Sequence, residues 1–208
     1  MKEPLPEPLP ADPLPLVERW LAEASEVVKS ATAMTLATVD ADGKPTARMV
    51  ICRGFDAKVG WLVFYTDRGS AKGHALAAHP RAALVFHWDA FERQIRVEGP
   101  VTWAPDEDSD RYWRTRPQDA RVAAVASEQS LPIESRAAFL AKVEAAGRGG
   151  GEIPRPPRWG GYRVWAERVE LWVGQPGRAH DRAVWARTLM PALDGFTAGP
   201  WTATRLQP

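Results

Sequence analysis

The sequence contains a single cysteine, Cys52, among 208 residues. An intrachain disulfide is therefore impossible, and no cluster of thiolates can form a zinc site. The four histidines, His74, His79, His87 and His180, never fall in a close metal-ligand spacing such as HExxH. We therefore expect neither a disulfide framework nor a metal centre.

The chain also lacks an excess of charge and any long apolar run. Lysine and arginine number 27 and aspartate and glutamate 26, which gives a net charge of +1 and no bulk attraction to nucleic acid or to an anionic membrane. No run approaches the roughly 18 apolar residues of a membrane span, and the N-terminus has no signal-peptide core. We expect a cytoplasmic protein whose recognition of phosphate, if any, is local.

Hydrophobic residues make up 45% of the chain and include 10 tryptophans, enough for one sizeable core. Residues 1–11 alternate proline with leucine and glutamate, which predicts a flexible N-terminal arm. Asp12 and Pro13 are typical of a helix start, and the apolar spacing predicts a helix to about Ser30. Residues 12–208 are expected to form one domain.

Most of the remaining pattern is typical of strands. Residues 33–55 contain two β-rich runs around "DADGK", a hairpin signal. Further strands are predicted over 60–67, 81–88, 93–104 and 159–174, and a last hairpin over 179–187 and 201–208 around a loop. Helices are predicted over 69–80, 106–116, 119–127 and 135–146. The fold class is mainly β (α+β), an antiparallel β-barrel with flanking helices.

Two segments carry groups that suit a phosphate. In "FYTDRGSAK" a strand delivers Tyr65 and Thr66 to a turn, and the following helix carries Lys72 in its first turn. Tyr112 and Arg116 are four residues apart on one helix face, where a phenol and a guanidinium can hold a phosphate monoester. An ordinary helix cap and an ordinary packing pair are the alternatives.

Two further segments are rich in arginine. Arg48 and Arg53 flank an apolar strand centre, and their spacing places them on opposite faces unless a bulge intervenes. In "GRAHDR", Arg178, His180 and Arg182 recur at every second residue, so an extended backbone would put all three on one face. Such a row is poorly suited to a core and suggests an anion or an electron-poor ring.

Several motifs of other enzyme classes do not stand out. The chain shows no Ser-His-Asp order, paired-carboxylate pattern or GxGxxG, which leaves covalent hydrolysis and Rossmann-type nicotinamide binding poorly supported. Gln94, Gln129 and Ser130 are polar groups that the residues alone do not separate from ordinary surface positions.

Taken in order, the segments resemble the pyridoxine (pyridoxamine) 5′-phosphate oxidase family. The resemblance covers about residues 12–187 and the closing "RLQP", and it is carried by "ARMVICRGFD", "FYTDRGSAKG", "HPRAALVFHW", "ERQIRVEG", "YWRTRP", "SEQS", "EIPRPPRWGGYRV", "ERVELWVG" and "GRAHDR". It implies an FMN-binding split β-barrel that acts as a homodimer, with FMN at the subunit interface.

The resemblance also implies roles for matching positions. FMN would be bound by Arg48, Met49, Val50, Ile51, Cys52, Arg53, Tyr65, Thr66, Lys72 and Gln94, and by Gln129, Ser130, Trp172 and Arg182 from the partner chain. The substrate phosphate would be bound by Arg53, Tyr112 and Arg116. Arg178 and His180 would lie against the pyridine ring as the catalytic and substrate-binding pair.

The implied reaction belongs to vitamin B6 metabolism. Pyridoxine or pyridoxamine 5′-phosphate is oxidised to pyridoxal 5′-phosphate, with O2 as the acceptor and H2O2 as the product. A related FMN-dependent oxidase of secondary metabolism, of the phenazine type, is one alternative. A flavin- or pyridoxal-phosphate-binding protein without turnover is another.

Four positions depart from the family pattern. Arg53 replaces a lysine, Ala71 an arginine that reinforces the FMN phosphate site, Ala120 a serine at the substrate phosphate, and Val125 a tryptophan. Losing a neutral hydrogen bond costs about 1 kcal/mol and losing a charge-assisted one about 1.5–3 kcal/mol. We therefore expect a weakened but surviving FMN site, and Arg121 is a hypothetical replacement for the lost serine.

Overall fold

The computed structural model describes residues 3–149 and 151–208. Its helices are α1 (Leu14–Val27), α2 (Ala71–Ala78), α3 (Asp106–Thr115), α4 (Gln118–Ala126) and α5 (Arg136–Gly147). Its strands are β1 (Ala33–Val39), β2 (Pro45–Ile51), β3 (Gly54–Asp56), β4 (Trp61–Asp67), β5 (Arg81–Trp88), β6 (Arg93–Trp103), β7 (Trp159–Trp165), β8 (Arg168–Val173), β9 (Asp181–Ala186), β10 (Leu189–Ala192), β11 (Gly195–Ala198) and β12 (Thr202–Leu206). No helix in these residues is both long and apolar enough to cross a membrane.

The main sheet is antiparallel and divides at β6. On the main path the strands follow the order β12-β9-β8-β6-β5-β1-β2, while β3, β4 and β7 form the other side. The first half of β6 pairs with β8 and its last residues pair with β7. Gly99 lies at this division, where a Cβ would come within 1.9 Å of the Trp165 carbonyl oxygen. The expected antiparallel split barrel with flanking helices is confirmed.

Alternation of apolar and polar residues places one side of each strand in the core. The core contains residues from α1 and from β1, β4, β5, β6, β7, β8 and β9, including Val17, Leu36, Phe64, Ile95, Leu171 and Trp185. Most polar residues of the same strands are thereby left on the outer surface of the barrel, whereas Thr66, near the end of β4, is buried.

Three predicted boundaries are wrong. Helix α1 ends at Val27, because Val28 already has an extended backbone. The second run of the first hairpin breaks after Ile51: Cys52 turns into the core, and β3 then pairs with β4 instead of β1. The predicted loop 188–200 contains the hairpin β10–β11, which turns at Leu193 and Asp194.

The N-terminal arm has no helix or strand over residues 3–11, and residues 1 and 2 lie outside the described range. Leu5 is only 3% exposed, and its N–H donates to Asp181 Oδ2 at 2.8 Å. Arg205 forms ion pairs with the same Asp181 and with Glu7. The arm is thus held against β9 and β12, in part through Asp181, the residue that follows His180.

Substitution of Gly195 by alanine should destabilise the β10–β11 hairpin. Gly195 has a φ of 132°, and a Cβ there would lie 2.0 Å from the Trp165 ring. We expect a loss of about 1–3 kcal/mol in the free energy of unfolding, measured by chemical denaturation. Gly149→Ala is the control, because nothing lies within 4 Å of that position. Equal stability of the two variants would contradict the close contact with Trp165.

Substitution of Tyr162 by phenylalanine should alter stability at alkaline pH. Burial raises the pKa of Tyr162 to about 12, and its hydroxyl is buried without a hydrogen-bond partner among the described residues. The unfolded phenol titrates near 10, so its contribution to stability is present below pH 10 and is lost as pH rises through 12. Wild type should lose about 2–3 kcal/mol more than Tyr162→Phe over this interval. Parallel stability profiles would contradict the raised pKa.

Candidate active site

A buried lysine marks the N-terminus of α2. Ser70 caps this helix by accepting from the Gly73 N–H at 3.3 Å. Lys72 Nζ lies 2.7 Å from Gln129 Oε1 and 3.2 Å from both Thr66 Oγ1 and Ser70 Oγ. None of these three oxygens belongs to a carboxylate, so the ammonium is solvated by neutral groups and its positive charge is not neutralised by them.

The electrostatics of Lys72 match this geometry. The side chain is 9% exposed, and burial together with the nearby charge of Arg48 lowers its pKa, while Asp67 acts in the opposite direction. Bringing an anion to Nζ would oppose both effects, because a negative charge stabilises the protonated form. The environment therefore favours an anionic ligand at this point.

Arg48 lies on β2 and is oriented by its neighbours. Its guanidinium donates to Thr38 Oγ1 and to Thr46 Oγ1, each at 2.7 Å, and to the Leu36 carbonyl at 3.3 Å. These acceptors are neutral, and burial lowers its pKa. Arg48 is thus a second cation near Lys72 that is held by neutral oxygens.

Aromatic rings form a wall beside this cationic region. The ring of Tyr65 stacks on Tyr112 at 4.2 Å and on Trp159 at 5.5 Å. The guanidinium of Arg116 lies 5.1 Å from the Trp159 ring, and that of Arg53 lies 5.6 Å from the Tyr112 ring. Two more cations therefore lie beside the wall, Arg53 at Tyr112 and Arg116 at Trp159.

Arg116 has spare hydrogen-bonding capacity. Its Nη2 donates to the Ala120 carbonyl at 3.2 Å, and its buried Nε has no hydrogen-bond partner among residues 3–149 and 151–208. A guanidinium has five donors arranged in a fork that suits phosphate or carboxylate. Arg116 is thus suited to bind an oxyanion.

Most of these groups, though not Arg48 or Trp159, line one cavity of about 230 Å3. Its lining comprises Met49, Val50, Ile51, Arg53, Tyr65, Thr66, Lys72, Tyr112, Arg116 and Gln129. A second chamber of about 420 Å3 shares four of these residues and is otherwise lined by Asp67, Ala120, Ala123, Ala124, Ser127, Phe139 and Trp159. The two spaces together are lined by three cationic side chains, Lys72, Arg53 and Arg116, beside a flat aromatic wall.

A second group of polar and aromatic side chains lies on β6, β8 and β9. Gln94 is directly opposite Trp172, which is directly opposite Arg182, so all three point to the same side of the sheet. The His180 ring lies 4.7 Å from the ring of Trp172. This group is a candidate surface for a flat ligand.

The predicted single row of Arg178, His180 and Arg182 is wrong. Arg182 lies on β9, but Arg178 ends a short 3-10 helix, Pro176–Arg178, in which Gly177 has a φ of 67° and Arg178 a φ of 62°. This left-handed turn interrupts the extended backbone that the row required. His180 Nδ1 accepts from the Gln175 N–H at 3.2 Å, so the neutral imidazole carries its proton on Nε2.

The two groups are separate within one chain. Among the described residues, no member of the second group lines the 230 Å3 cavity. Along the sheet, β6 and β8 are three and four strands away from β2, which corresponds to roughly 14–19 Å at about 4.8 Å per strand. The two groups therefore do not share this cavity within the single chain.

Comparison with known proteins identifies the fold and the lineage. The family model described as pyridoxamine 5′-phosphate oxidase matches residues 21–147, and the model of the pyridoxine 5′-phosphate oxidase C-terminal dimerisation region matches residues 159–208. The chain belongs to the pyridoxamine 5′-phosphate oxidase family. Both halves of the sequence thus match the same family.

Relatives in this family match the chain over nearly its whole length. A pyridoxine/pyridoxamine 5′-phosphate oxidase from Nitrobacter winogradskyi is 49% identical over 95% of this chain and 90% of that protein. One from Rhodopseudomonas palustris is 47% identical over the same shares. PhzG from Burkholderia lata, solved with tetrahydrophenazine-1-carboxylic acid, has a TM-score of 0.85 at 29% identity and covers 96% of this chain and 94% of its own.

Two chain assignments differ from expectation: Gln94, expected with Lys72, lies beside Trp172 and Arg182 instead, and Gln129 lies with Lys72. Gln129 was expected from the partner chain, but its Oε1 accepts from Lys72 Nζ and from Thr66 Oγ1, at 2.9 Å, of the same chain. Ser130 follows it at an exposed position with a φ of 79°. The distance along the chain from Thr66 to Gln129 hides this contact in the sequence.

The departures from the family pattern lie in different places. Ala120 lines the 420 Å3 chamber, whereas Val125 is exposed and its carbonyl accepts from Arg158. Arg121 is not among the residues that line either cavity. Cys52 is buried in the core, where burial raises the pKa of its thiol.

Sequence reasoning missed two residues of the candidate site. Trp159 was assigned only to a strand, although it stacks with Tyr65 and lines the larger chamber. Glu170 was not selected, although it is buried and forms an ion pair with Arg182. A lone glutamate between valine and leucine in a predicted strand was the available signal for Glu170.

Proposed function

We propose that this protein is an FMN-dependent oxidase that converts pyridoxine 5′-phosphate or pyridoxamine 5′-phosphate to pyridoxal 5′-phosphate, with O2 as acceptor and H2O2 as product; from the amine, hydrolysis of the imine also consumes water and releases ammonia. The observation that carries the proposal is the presence of two cationic points, Lys72 and Arg116, at one cavity beside a flat aromatic wall. One point suits the phosphate of the cofactor and the other the phosphate of the substrate.

The residues of the cavity fit FMN. Lys72, Thr66 and Arg48 would bind its phosphate, since the lysine and the arginine contact only neutral oxygens within hydrogen-bonding distance. The backbone of Met49, Val50 and Ile51 would border the cofactor, because these residues line the same cavity. When bound, FMN supplies a two-electron acceptor for the hydride from the substrate C4′ and passes the electrons to O2.

The substrate phosphate would be bound by Arg116, Tyr112 and Arg53. Arg116 has free donors, and Arg53 reaches the same phenol from the loop after β2. Arginine in place of lysine at position 53 keeps the charge and offers a planar fork instead of a compact ammonium. These three groups would orient the substrate by its phosphate and leave the ring free to stack.

We place the ring-binding groups on the partner subunit of a homodimer. Gln94, Trp172, Arg178, His180 and Arg182 lie apart from the cavity of their own chain, and four of them fall within residues 159–208, the part that matches a dimerisation region. His180 would donate from Nε2 to the substrate, while Arg178 would stabilise negative charge on the pyridine ring. The partner would also exclude water from the aromatic wall.

A second candidate is an oxidase that acts on a larger tricyclic acid. Ala120, Ala123 and Ala124 leave the 420 Å3 chamber open next to Arg116, where a carboxylate can replace a phosphate. The similar PhzG structure contains tetrahydrophenazine-1-carboxylic acid, which has a carboxylate and no phosphate. Such an oxidase would use the same flavin site and differ only in its substrate.

Oxygen-dependent turnover by FMN-reconstituted protein tests the proposal. Pyridoxine and pyridoxamine 5′-phosphates are supplied separately, and pyridoxal-phosphate absorbance and H2O2 release are followed, with the FMN-free protein as control. Saturable formation of both products is the expected result. Full flavin occupancy without turnover of either compound would contradict it, and turnover of tetrahydrophenazine-1-carboxylic acid instead would establish the second candidate.

A further inference from the structure

Glu170 is a buried carboxylate on the outer side of β8, and the reaction proposed above does not use it. Glu170 is only 4% exposed, although the alternation of side chains along a strand places it on the same side of the sheet as Trp172. Arginines surround it: Arg96 Nη1 lies 3.2 Å and Arg182 Nη2 2.7 Å from its two carboxylate oxygens, and Arg168 lies at 4.0 Å. The carboxylate is thus covered by guanidiniums.

The contacts to Arg182 restrain that side chain from two directions. Arg182 Nε and Nη2 both donate to Glu170 Oε1, at 3.1 Å and 2.7 Å, and Nη1 donates to the Gln207 carbonyl at 3.2 Å. A charge-assisted contact through two adjacent donors fixes the plane of a guanidinium as well as its position. Arg182 therefore has one defined orientation beside Trp172 before any ligand binds.

Burying the Glu170 carboxylate costs free energy, which its ion pairs with Arg96 and Arg182 must offset. Removing a carboxylate from water carries a desolvation penalty that ion pairs offset only when the geometry is good. The carboxylate Glu98, two residues along β6 from Arg96, is partly exposed and also contacts Arg96, at 2.6 Å. Arg96 thus has two carboxylate partners, whereas among the described residues Glu170 is the one carboxylate that pairs with Arg182.

We propose that Glu170 is a positioning residue, which fixes the Arg182 guanidinium for contact with the flavin. The inference rests on the proposed function, in which Arg182 contacts FMN bound in the partner subunit's cavity. Glu170 itself does not touch the cofactor. Glu170 neutralises part of the positive charge of the neighbouring arginines. It also restricts the Arg182 side chain before FMN binds, so that less conformational entropy is lost on binding.

The test is a double-mutant cycle on FMN affinity in the full-length dimer. Glu170→Gln keeps the size of the side chain and removes its charge, Arg182→Ala removes the proposed contact, and Glu98→Gln is the matched control on the same face. FMN dissociation constants are measured by flavin fluorescence quenching, and circular dichroism and elution volume report the fold and the dimer. Glu170→Asp, which keeps the charge at shorter reach, supplies the same comparison if the glutamine variant does not fold.

We expect Glu170→Gln to raise the FMN dissociation constant about tenfold, a change of about 1.4 kcal/mol, and Glu98→Gln less than about twofold. In the Arg182→Ala background the added effect should fall below about twofold, because Glu170 acts through Arg182. An equal effect in both backgrounds, or one no larger than that of Glu98→Gln, would overturn the inference while leaving the oxidase proposal intact. Failure of the wild type to bind FMN would overturn both.

Discussion

Replacing Lys72 by methionine should weaken FMN binding about a hundredfold, because a charge-assisted contact contributes about 1.5–3 kcal/mol and no arginine stands at Ala71 to compensate. The ammonium is almost completely buried and its three oxygen neighbours are neutral. Fluorescence titration of apoprotein with FMN measures the change.

The same substitution should not lower the stability of the apoprotein. A buried ammonium near Arg48 carries a desolvation cost and a repulsion, both visible in its lowered pKa, and methionine removes both. The unfolding midpoint of the apoprotein should therefore stay the same or rise while FMN affinity falls. Lys142→Met is the control, since Lys142 is exposed and pairs with Glu128 on the surface. A parallel loss of apoprotein stability and FMN affinity would mean that Lys72 has a structural role.

Replacing Arg116 by alanine should reduce kcat/KM for the phosphorylated substrates about a hundredfold, by removing about 1.5–3 kcal/mol of interaction with the phosphate. The effect should appear mainly in KM, because binding of the phosphate is the same in the ground state and the transition state. Steady-state kinetics with pyridoxamine 5′-phosphate and with unphosphorylated pyridoxamine measure whether the loss depends on the substrate phosphate. The unphosphorylated compound should show almost no change between wild type and variant.

Arg114→Ala is the matched control for this prediction. Arg114 lies in the last turn of α3, two residues before Arg116, and its side chain is exposed. Its removal should leave both kinetic constants within about twofold of wild type, as is usual for an exposed charge. Equal losses in the two variants would contradict a specific contact between Arg116 and the substrate phosphate.

Several site residues could be predicted because their roles depend on local chemistry. Thr66, Ser70 and Lys72 lie within seven residues, where a strand end, a helix cap and a lysine meet without help from the rest of the chain. Tyr112 and Arg116 were expected on one helix face, but α3 ends at Thr115 and Arg116 is its extended C-cap residue; both nevertheless line the same cavity. For these residues, neighbouring positions in the sequence are neighbours in space.

Other contacts were not predictable because they join distant parts of the chain or depend on a break in the backbone. Arg53 lines the cavity because the strand ends at Ile51 and Cys52 turns inward, which a count of alternating positions does not show. Gln129 meets Lys72 across 57 residues. Arg178 leaves the expected row because the chain turns left-handed at Gly177.

The sequence by itself determined the family, the mainly antiparallel barrel and most of the chemical groups of the candidate site. Alternation and helical period are local properties, and they determine which face of each element is apolar. Only the tertiary structure decided how the groups are divided: Gln129 with Lys72 and Thr66 in one cavity, and Gln94 with Trp172 and Arg182 on another surface. That division depends on strand order and register, which follow from packing of the whole core.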